Sequence, residues 1–141
     1  MSKPRIVIIE DNAADVRLLR AALDHQEHEY VLEVITDGEA AIRYLKEHCV
    51  MGPDPCLIVL DLHLPRYDGV AVLREIRSSP ALAHVHVAML TTVASPAEEA
   101  EVKALGVALY TRKPISWDDF VGLGRDLMSL CVGPAQRATT A

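Results

Sequence analysis

The sequence has no apolar run approaching the ~20 residues of a membrane span. It has no excess of positive charge, no internal repeat and no low-complexity linker. The N-terminus MSKPRIVIIE carries an apolar run of only four residues, Ile6 to Ile9, closed by Glu10. That is too short for a secretory leader. Lys and Arg number 14 against 20 Asp and Glu, a net charge of −6, which argues against a basic nucleic-acid face. Cysteines number three, Cys49, Cys56 and Cys131, with no C-x-x-C and no zinc spacing. An odd count without a framework predicts free thiols, mostly in the core, in a reducing cytoplasm. Gly122-Leu123-Gly124 lacks the third glycine and the preceding strand of a dinucleotide loop.

What is present is a chain of 141 residues, half of them hydrophobic and 24% charged. That length predicts one domain able to bury roughly 70% of its unfolded surface without a metal or disulfide staple. Two kinds of segment alternate along it. Ile6–Ile9, Leu57–Leu60, Val87–Leu90 and Val107–Tyr110 are short, continuous apolar runs. Such runs suit parallel strands covered on both faces. Tyr30–Ile35 reads as a further strand, placed at an edge by Glu33.

Between the strands lie amphipathic segments. The first carries Val16, Leu19 and Leu23 behind a capping Asn12, with Asp15 at N3. The second carries Ala41, Leu45 and Cys49 and is opened by Asp37; the third carries Val72, Leu73 and Ile76. The fourth begins Ser95-Pro96-Ala97-Glu98 and the fifth Ser116-Trp117-Asp118-Asp119, both capping boxes. The fifth has a core stripe of Phe120, Leu123, Leu127 and Leu130 and a second stripe of Val121, Met128 and Cys131. That arc suggests either deep burial or a partner, and Gly122 and Gly124 suit close helix approach. The order βαβαβαβαβα predicts an α/β fold. Its sheet is doubly wound, parallel and five-stranded, with order 2-1-3-4-5. The domain is expected to span 1–131, with a flexible tail over 132–141.

Each buried strand ends in a chemically useful residue. The first runs into Glu10 and Asp11, the third into Asp61, the fourth into Thr91 and Thr92, and the fifth is followed by Lys113 and Pro114. Ligands of open α/β sheets bind beyond the carboxyl ends of the strands, at the switch point, here between strands 1 and 3. Glu10, Asp11 and Asp61 therefore share a pocket. At ~4 Å and an effective dielectric near 20, each like-charged pair costs about 4 kcal/mol. Either a carboxylate is protonated or a hard divalent cation offsets the repulsion, and Mg²⁺ suits oxygen ligands. A metal, a hydroxyl and an ammonium together would hold a phosphoryl group on a carboxylate. One such aspartate would ordinarily be a cap or loop residue; four strand ends in order are not so readily dismissed. His84-x-His86 shows no third ligand and reads as a loop and strand-entry pair, and Trp117 as a packing residue.

With its motifs IVIIEDN, LIVLDLHLPRYDG, VAMLTT and YTRKP in order, the chain resembles the receiver domain of two-component response regulators over about residues 4–131. The resemblance implies a flavodoxin-like fold and a phosphoryl group accepted from a sensor histidine kinase by the aspartate ending strand 3, Asp61. It implies Mg²⁺ held by Asp11, by Glu10 through water, by Asp61 and by the backbone carbonyl of His63. It further implies a switch hydroxyl at Thr91, followed by Thr92, and a phosphate-binding lysine at Lys113. Tyr110 matches an aromatic that turns inward, and the peptide before Pro114 matches a position that is usually cis. His63 stands where Asn or Met is more usual, with Val93 two after Thr91, which implies an altered hydrolysis rate.

No output domain is evident, so the likeness is to stand-alone regulators. EDNAADVRLLRAAL, LTT and KPISWDDF are most similar to those that serve bacterial phytochrome kinases. Such relatives are commonly homodimers joined through the fourth helix, fifth strand and fifth helix. The expectation is a phosphoacceptor signalling protein rather than an enzyme, with no nucleic-acid or membrane partner. A Mg²⁺-dependent phosphatase would need an aspartate at the position of His63. A phosphate-independent interaction module would ordinarily have lost an acidic residue or the lysine, and none is lost here.

Overall fold

A computed structural model describes residues 3–51 and 55–132, with the side chains of 48–51 outside the description. Ten elements alternate. They are β1 (Arg5–Ile9), α1 (Ala13–Asp24), β2 (Val31–Ile35), α2 (Gly38–Met51), β3 (Leu57–Asp61), α3 (Gly69–Ser78), β4 (His86–Thr91), α4 (Pro96–Leu105), β5 (Leu109–Arg112) and α5 (Trp117–Val132). The five strands form one sheet in the order β2-β1-β3-β4-β5, and every neighbouring pair is parallel. β2 is an edge, as Glu33 suggested.

The continuous apolar runs are explained by two cores, one on each face. Ile6 and Ile8 of β1, Leu57 and Val59 of β3, and Ala88 and Leu90 of β4 pack with α1 and α5. The alternating residues Val7, Ile9, Ile58, Leu60, Val87 and Met89 pack on the opposite face with α2, α3 and α4. Each such side chain contributes about 1.5–3 kcal/mol on burial, so no strand of the centre can spare a polar position. The strand ends are another matter, and that is where the polar residues lie.

Local signals set the helix starts. The Asn12 side chain accepts from the Asp15 amide at 3.0 Å, and the Asp37 carboxylate accepts from Ala40 at 2.8 Å. Ser95 and Glu98 form both halves of a capping box, with Pro96 at N1. The Ser116 hydroxyl accepts from the Asp119 amide at 3.1 Å.

Four expectations are adjusted. β5 begins two residues later than the apolar run, because Gly106 (φ 90°) closes α4 and the chain needs residues 107–108 to reach the sheet. Pairing then sets Tyr110 beside Met89 and Thr91 beside Arg112. The peptide before Pro114 is trans, since no cis peptide occurs among the described residues. An X–Pro bond favours trans by about 0.5–1 kcal/mol, and the Lys113 amide reaches the Thr91 carbonyl at 2.8 Å in that form. Cys56 and Cys131 are half-buried rather than core, their sulfurs 2.6 Å apart; the Cys49 side chain lies outside the described residues. α5 runs through Val132, and the rest of the expected tail, 133–141, also lies outside them.

The wide apolar arc of α5 is used within the chain. Met128 is buried in the same core as Leu19, Ala22 and Leu23 of α1. Gly124 sits so close to α1 that a Cβ there would stand 2.6 Å from the Ala22 carbonyl oxygen. Gly122 has no such neighbour.

Candidate phosphoacceptor site

The strand order puts the carboxyl ends of β1 and β3 side by side, with chain crossovers leaving in opposite directions. Into that gap project Glu10, just past β1, and Asp61, the last residue of β3. Glu10 is 2% exposed and Asp61 5%, while Asp11 is open to solvent. One oxygen from each lies within 4.8 Å of the others, and among the described residues this is the one grouping of His, Cys, Asp and Glu able to hold a metal ion. His84 and His86 are exposed and belong to no such grouping.

Lys113 enters from the loop after β5, its side chain 13% exposed. Its Nζ lies 2.7 Å from Glu10 Oε1, 2.9 Å from Asp15 Oδ2 and 3.4 Å from Asp61 Oδ2. The contact with Glu10 is an ion pair off the hydrogen-bonding direction, and Oε1 has no hydrogen-bond partner among the described residues. Its twin Oε2 accepts from the Asn12 amide at 3.1 Å. Burial raises the Glu10 carboxyl to about 7, with the nearby Asp61 charge adding to it, against the lowering effect of Lys113 and the Asn12 amide. Burial alone would lower the Lys113 ammonium, but its contacts with Glu10 and Asp15 and the charge of Asp61 hold it above the usual lysine range.

The loops around Asp61 are tied to it by backbone. The His63 amide donates to Asp61 Oδ1 at 3.1 Å, and the Gly69 amide to the Leu62 carbonyl at 2.8 Å. A Cβ on Gly69 would stand 2.3 Å from the Asp61 carbonyl oxygen, so the acceptor loop needs glycine at that place. Thr91 ends β4, buried, and its hydroxyl donates to the Val93 carbonyl at 2.7 Å. The His63 ring meets the same carbonyl, Nε2 to oxygen at 2.7 Å. Thr92 is solvent-exposed. Tyr110 is half-buried on β5 against the core that α2, α3 and α4 share. Burial raises its hydroxyl, with Glu99 and Glu98 of α4 contributing.

The structure thus gathers Glu10, Asp11, Asp61 and Lys113, sets Thr91 and His63 on one carbonyl beside them, and leaves Thr92 and Tyr110 outside the carboxylate cluster. It also adds Asp15, which sequence reasoning treated only as a helix-start residue.

Residues 6–123 match the family described as the response regulator receiver domain. The chain belongs to that family. Its fold is the flavodoxin-like receiver fold. Response regulator Rcp1 of Synechocystis sp. is 39% identical over 89 residues, 62% of this chain and 60% of Rcp1, so the match spans less than two thirds of that relative. The probable methanogenesis regulatory protein FilR2 of Methanothrix harundinacea is 35% identical over 81% of this chain and 74% of its own length. Among solved structures, the phosphorylated cyanobacterial phytochrome response regulator RcpA superposes with a TM-score of 0.84 at 29% identity, covering 94% of this chain and 96% of that one. The Mn²⁺-bound form of Rcp1 gives 0.79 at 32% identity, covering 89% and 92%.

A divalent cation fits this receiver site. Three carboxylates converge, one buried carboxylate oxygen is without a hydrogen bond, and the donor set is all oxygen, as hard cations prefer.

Proposed function

We propose that this receiver domain accepts a phosphoryl group on Asp61 from a sensor histidine kinase, in a Mg²⁺-dependent reaction. The observation that carries the reading is the convergence of Glu10, Asp11 and Asp61 with Lys113 at the switch point of the sheet. Glu10, Asp11, Asp61 and the backbone carbonyl of His63 would hold the ion. When bound, Mg²⁺ supplies neutralising charge to the carboxylates and to the phosphoryl oxygens.

The remaining chemistry belongs to the chain. A carboxylate oxygen of Asp61 attacks the phosphorus of a phosphohistidine. The new O–P bond forms as the P–N bond breaks, and the imidazole leaves as a neutral ring that keeps the proton on its other nitrogen. Transfer of this kind is mostly positioning and charge neutralisation. The His63 amide orients one oxygen of the acceptor, and Lys113 sits within reach of the other. The Thr91 hydroxyl gives up the Val93 carbonyl for a phosphoryl oxygen. Tyr110 then repacks against α4, changing the surface formed by α4, β5 and α5. The acyl phosphate adds close to two negative charges, which bias this equilibrium.

The protein acts in the cytoplasm as a signalling switch, catalysing only its own phosphorylation and dephosphorylation, without nucleic-acid or membrane partners. The likeness to the cyanobacterial phytochrome response regulator RcpA supports a bacterial phytochrome as the kinase. The output is a homodimer through α4, β5 and α5.

Intact mass after incubation with acetyl phosphate and Mg²⁺ tests the proposal, with Asp61→Asn and a chelated sample alongside. One labile phosphoryl adduct, absent from both controls, is expected. A folded protein that forms no adduct would make it a phosphate-independent interaction module.

A further inference from the structure

Cys56 and Cys131 stand 75 residues apart in sequence, yet their sulfur atoms are 2.6 Å apart. Each is held in place by the fold. Cys56 leads directly into β3, and its amide donates to the Arg5 carbonyl at 2.9 Å. Cys131 belongs to the last turn of α5, a helix pinned to α1 by the Gly124–Ala22 approach and by buried Leu127 and Met128. Both thiols are half-buried against the α1–α5 core, so a small oxidant can reach them. A disulfide has a bond of about 2.05 Å, and two sulfurs already this close need move only about half an ångström. The pair lies at the amino end of β3, some 17 Å of strand from Asp61 at ~3.3 Å per residue, and takes no part in the phosphoacceptor site.

We propose that Cys56 and Cys131 form a reversible dithiol–disulfide site, closed by hydrogen peroxide or a low-molecular-weight disulfide, that locks the end of α5 onto β3. Intracellular disulfides, where they occur, are mostly transient and redox-sensing. The Cys56 thiol is lowered, chiefly by the hydrogen bond it shares with Cys131, then by backbone groups of Arg5 and Cys56 working against burial. The Cys131 thiol is raised by that shared hydrogen bond and by burial. One sulfur of the pair attacks as the thiolate and the other resolves; Cys56 attacks in the step that follows.

With peroxide, the Cys56 thiolate attacks one oxygen, the O–O bond breaks, and the departing hydroxide takes up a proton to leave as water. Cys56 is then a sulfenic acid. The Cys131 sulfur attacks it, the S–S bond forms, the S–O bond breaks, and a second water leaves with the Cys131 proton. Two thiols and one peroxide give one disulfide and two waters. Two equivalents of a small thiol reverse it by exchange.

The test uses the full chain, reduced and then exposed to about one equivalent of hydrogen peroxide. Intact mass should fall by two hydrogens. Alkylation should show two fewer reactive thiols, and protease mapping should yield one Cys56–Cys131 linked peptide, lost on treatment with dithiothreitol. Closing a loop of this length should raise Tm by about 5 °C or more. Cys56→Ser should lose the linked peptide and the Tm rise. Three results would overturn the proposal. One is a pair that stays fully alkylatable. Another is oxidation of each cysteine separately to sulfinic acid. The third is a cross-link that runs between chains or to Cys49.

Discussion

Lys113 sits closer to Asp15 than to Asp61: its Nζ is 2.9 Å from Asp15 Oδ2 and 3.4 Å from Asp61 Oδ2. The first turn of α1 therefore competes with the acceptor for the one ammonium in the pocket. Asp15→Asn removes that competition and one negative charge from the approach of a phosphoryl donor. The helix start survives, because the capping bond uses the backbone amide of residue 15 and not its side chain. Phosphorylation by acetyl phosphate should be faster by roughly 2- to 5-fold, the range for a part-exposed pair worth about 0.4–1 kcal/mol. The adduct is followed by intact mass over time. The acceleration should vanish when Lys113→Ala is added; persistence of it there would locate the effect in general electrostatics instead.

The raised carboxyl of Glu10 makes stability depend on pH with a definite sign. Folding moves it from 4.5 to about 7, mainly by burial. The folded state thus holds this proton more tightly than the unfolded chain. Its contribution is fully present below pH 4.5, declines through the interval, and is lost above about 7. The size is on the order of 3 kcal/mol, at about 1.4 kcal/mol for each pH unit of the rise from 4.5 to about 7. A bound divalent cation needs the ionised form, so its stabilisation grows over the same range. The gap in Tm between samples with Mg²⁺ and with chelator should widen from pH 5.5 to pH 8, on the scale of this titration near 7. Glu10→Gln should flatten it. A gap independent of pH in the native protein would show that Glu10 is ionised throughout.

The strand ends were legible because a parallel sheet leaves no choice. Every central position is claimed by one of two cores, so Glu10, Asp61 and Thr91 can only terminate strands, and topology then brings their ends together. The start of β5 was not legible, since Val107 and Ala108 are as apolar as a strand and only the backbone of Gly106 shows that they belong to the approach. Asp15 was hidden for a different reason. Its place at a helix start explained it fully, and nothing local pointed to a lysine 98 residues away. The meeting of Cys56 with Cys131 depends on how α5 crosses the sheet, and residue spacing carries no trace of that. The shared Val93 carbonyl is backbone, which no side-chain pattern encodes.

The two glycines of α5 should respond oppositely to alanine. At Gly122 the nearest atom to an added Cβ is the end of the Arg125 side chain at 3.8 Å, so Gly122→Ala should stabilise by about 0.5–1 kcal/mol through helix propensity. At Gly124 the Cβ would meet the Ala22 carbonyl oxygen at 2.6 Å and its carbon at 2.8 Å, both backbone. α1 and α5 must then separate, at a cost of about 1–3 kcal/mol that outweighs the propensity gain. Urea unfolding of the two variants reads this directly. Equal midpoints would mean that the α1–α5 contact is looser than its geometry implies.

His63 and Thr91 share the Val93 carbonyl, each at 2.7 Å. When Thr91 turns to a phosphoryl oxygen, the His63 ring is left holding the β4–α4 loop to the acceptor loop. That bridge ties together the two loops that flank Asp61. His63→Ala should therefore shorten the lifetime of the phosphorylated state. The change should be roughly 3-fold, as for one part-exposed hydrogen bond worth ~0.7 kcal/mol. His63→Gln keeps a donor of similar reach and should stay near the native rate. Phosphate release after removal of acetyl phosphate measures both. Because the His63 amide, not its ring, holds Asp61, neither variant should lose the ability to be phosphorylated. A lifetime that is unchanged in the alanine variant would show that the ring does not screen the acyl phosphate.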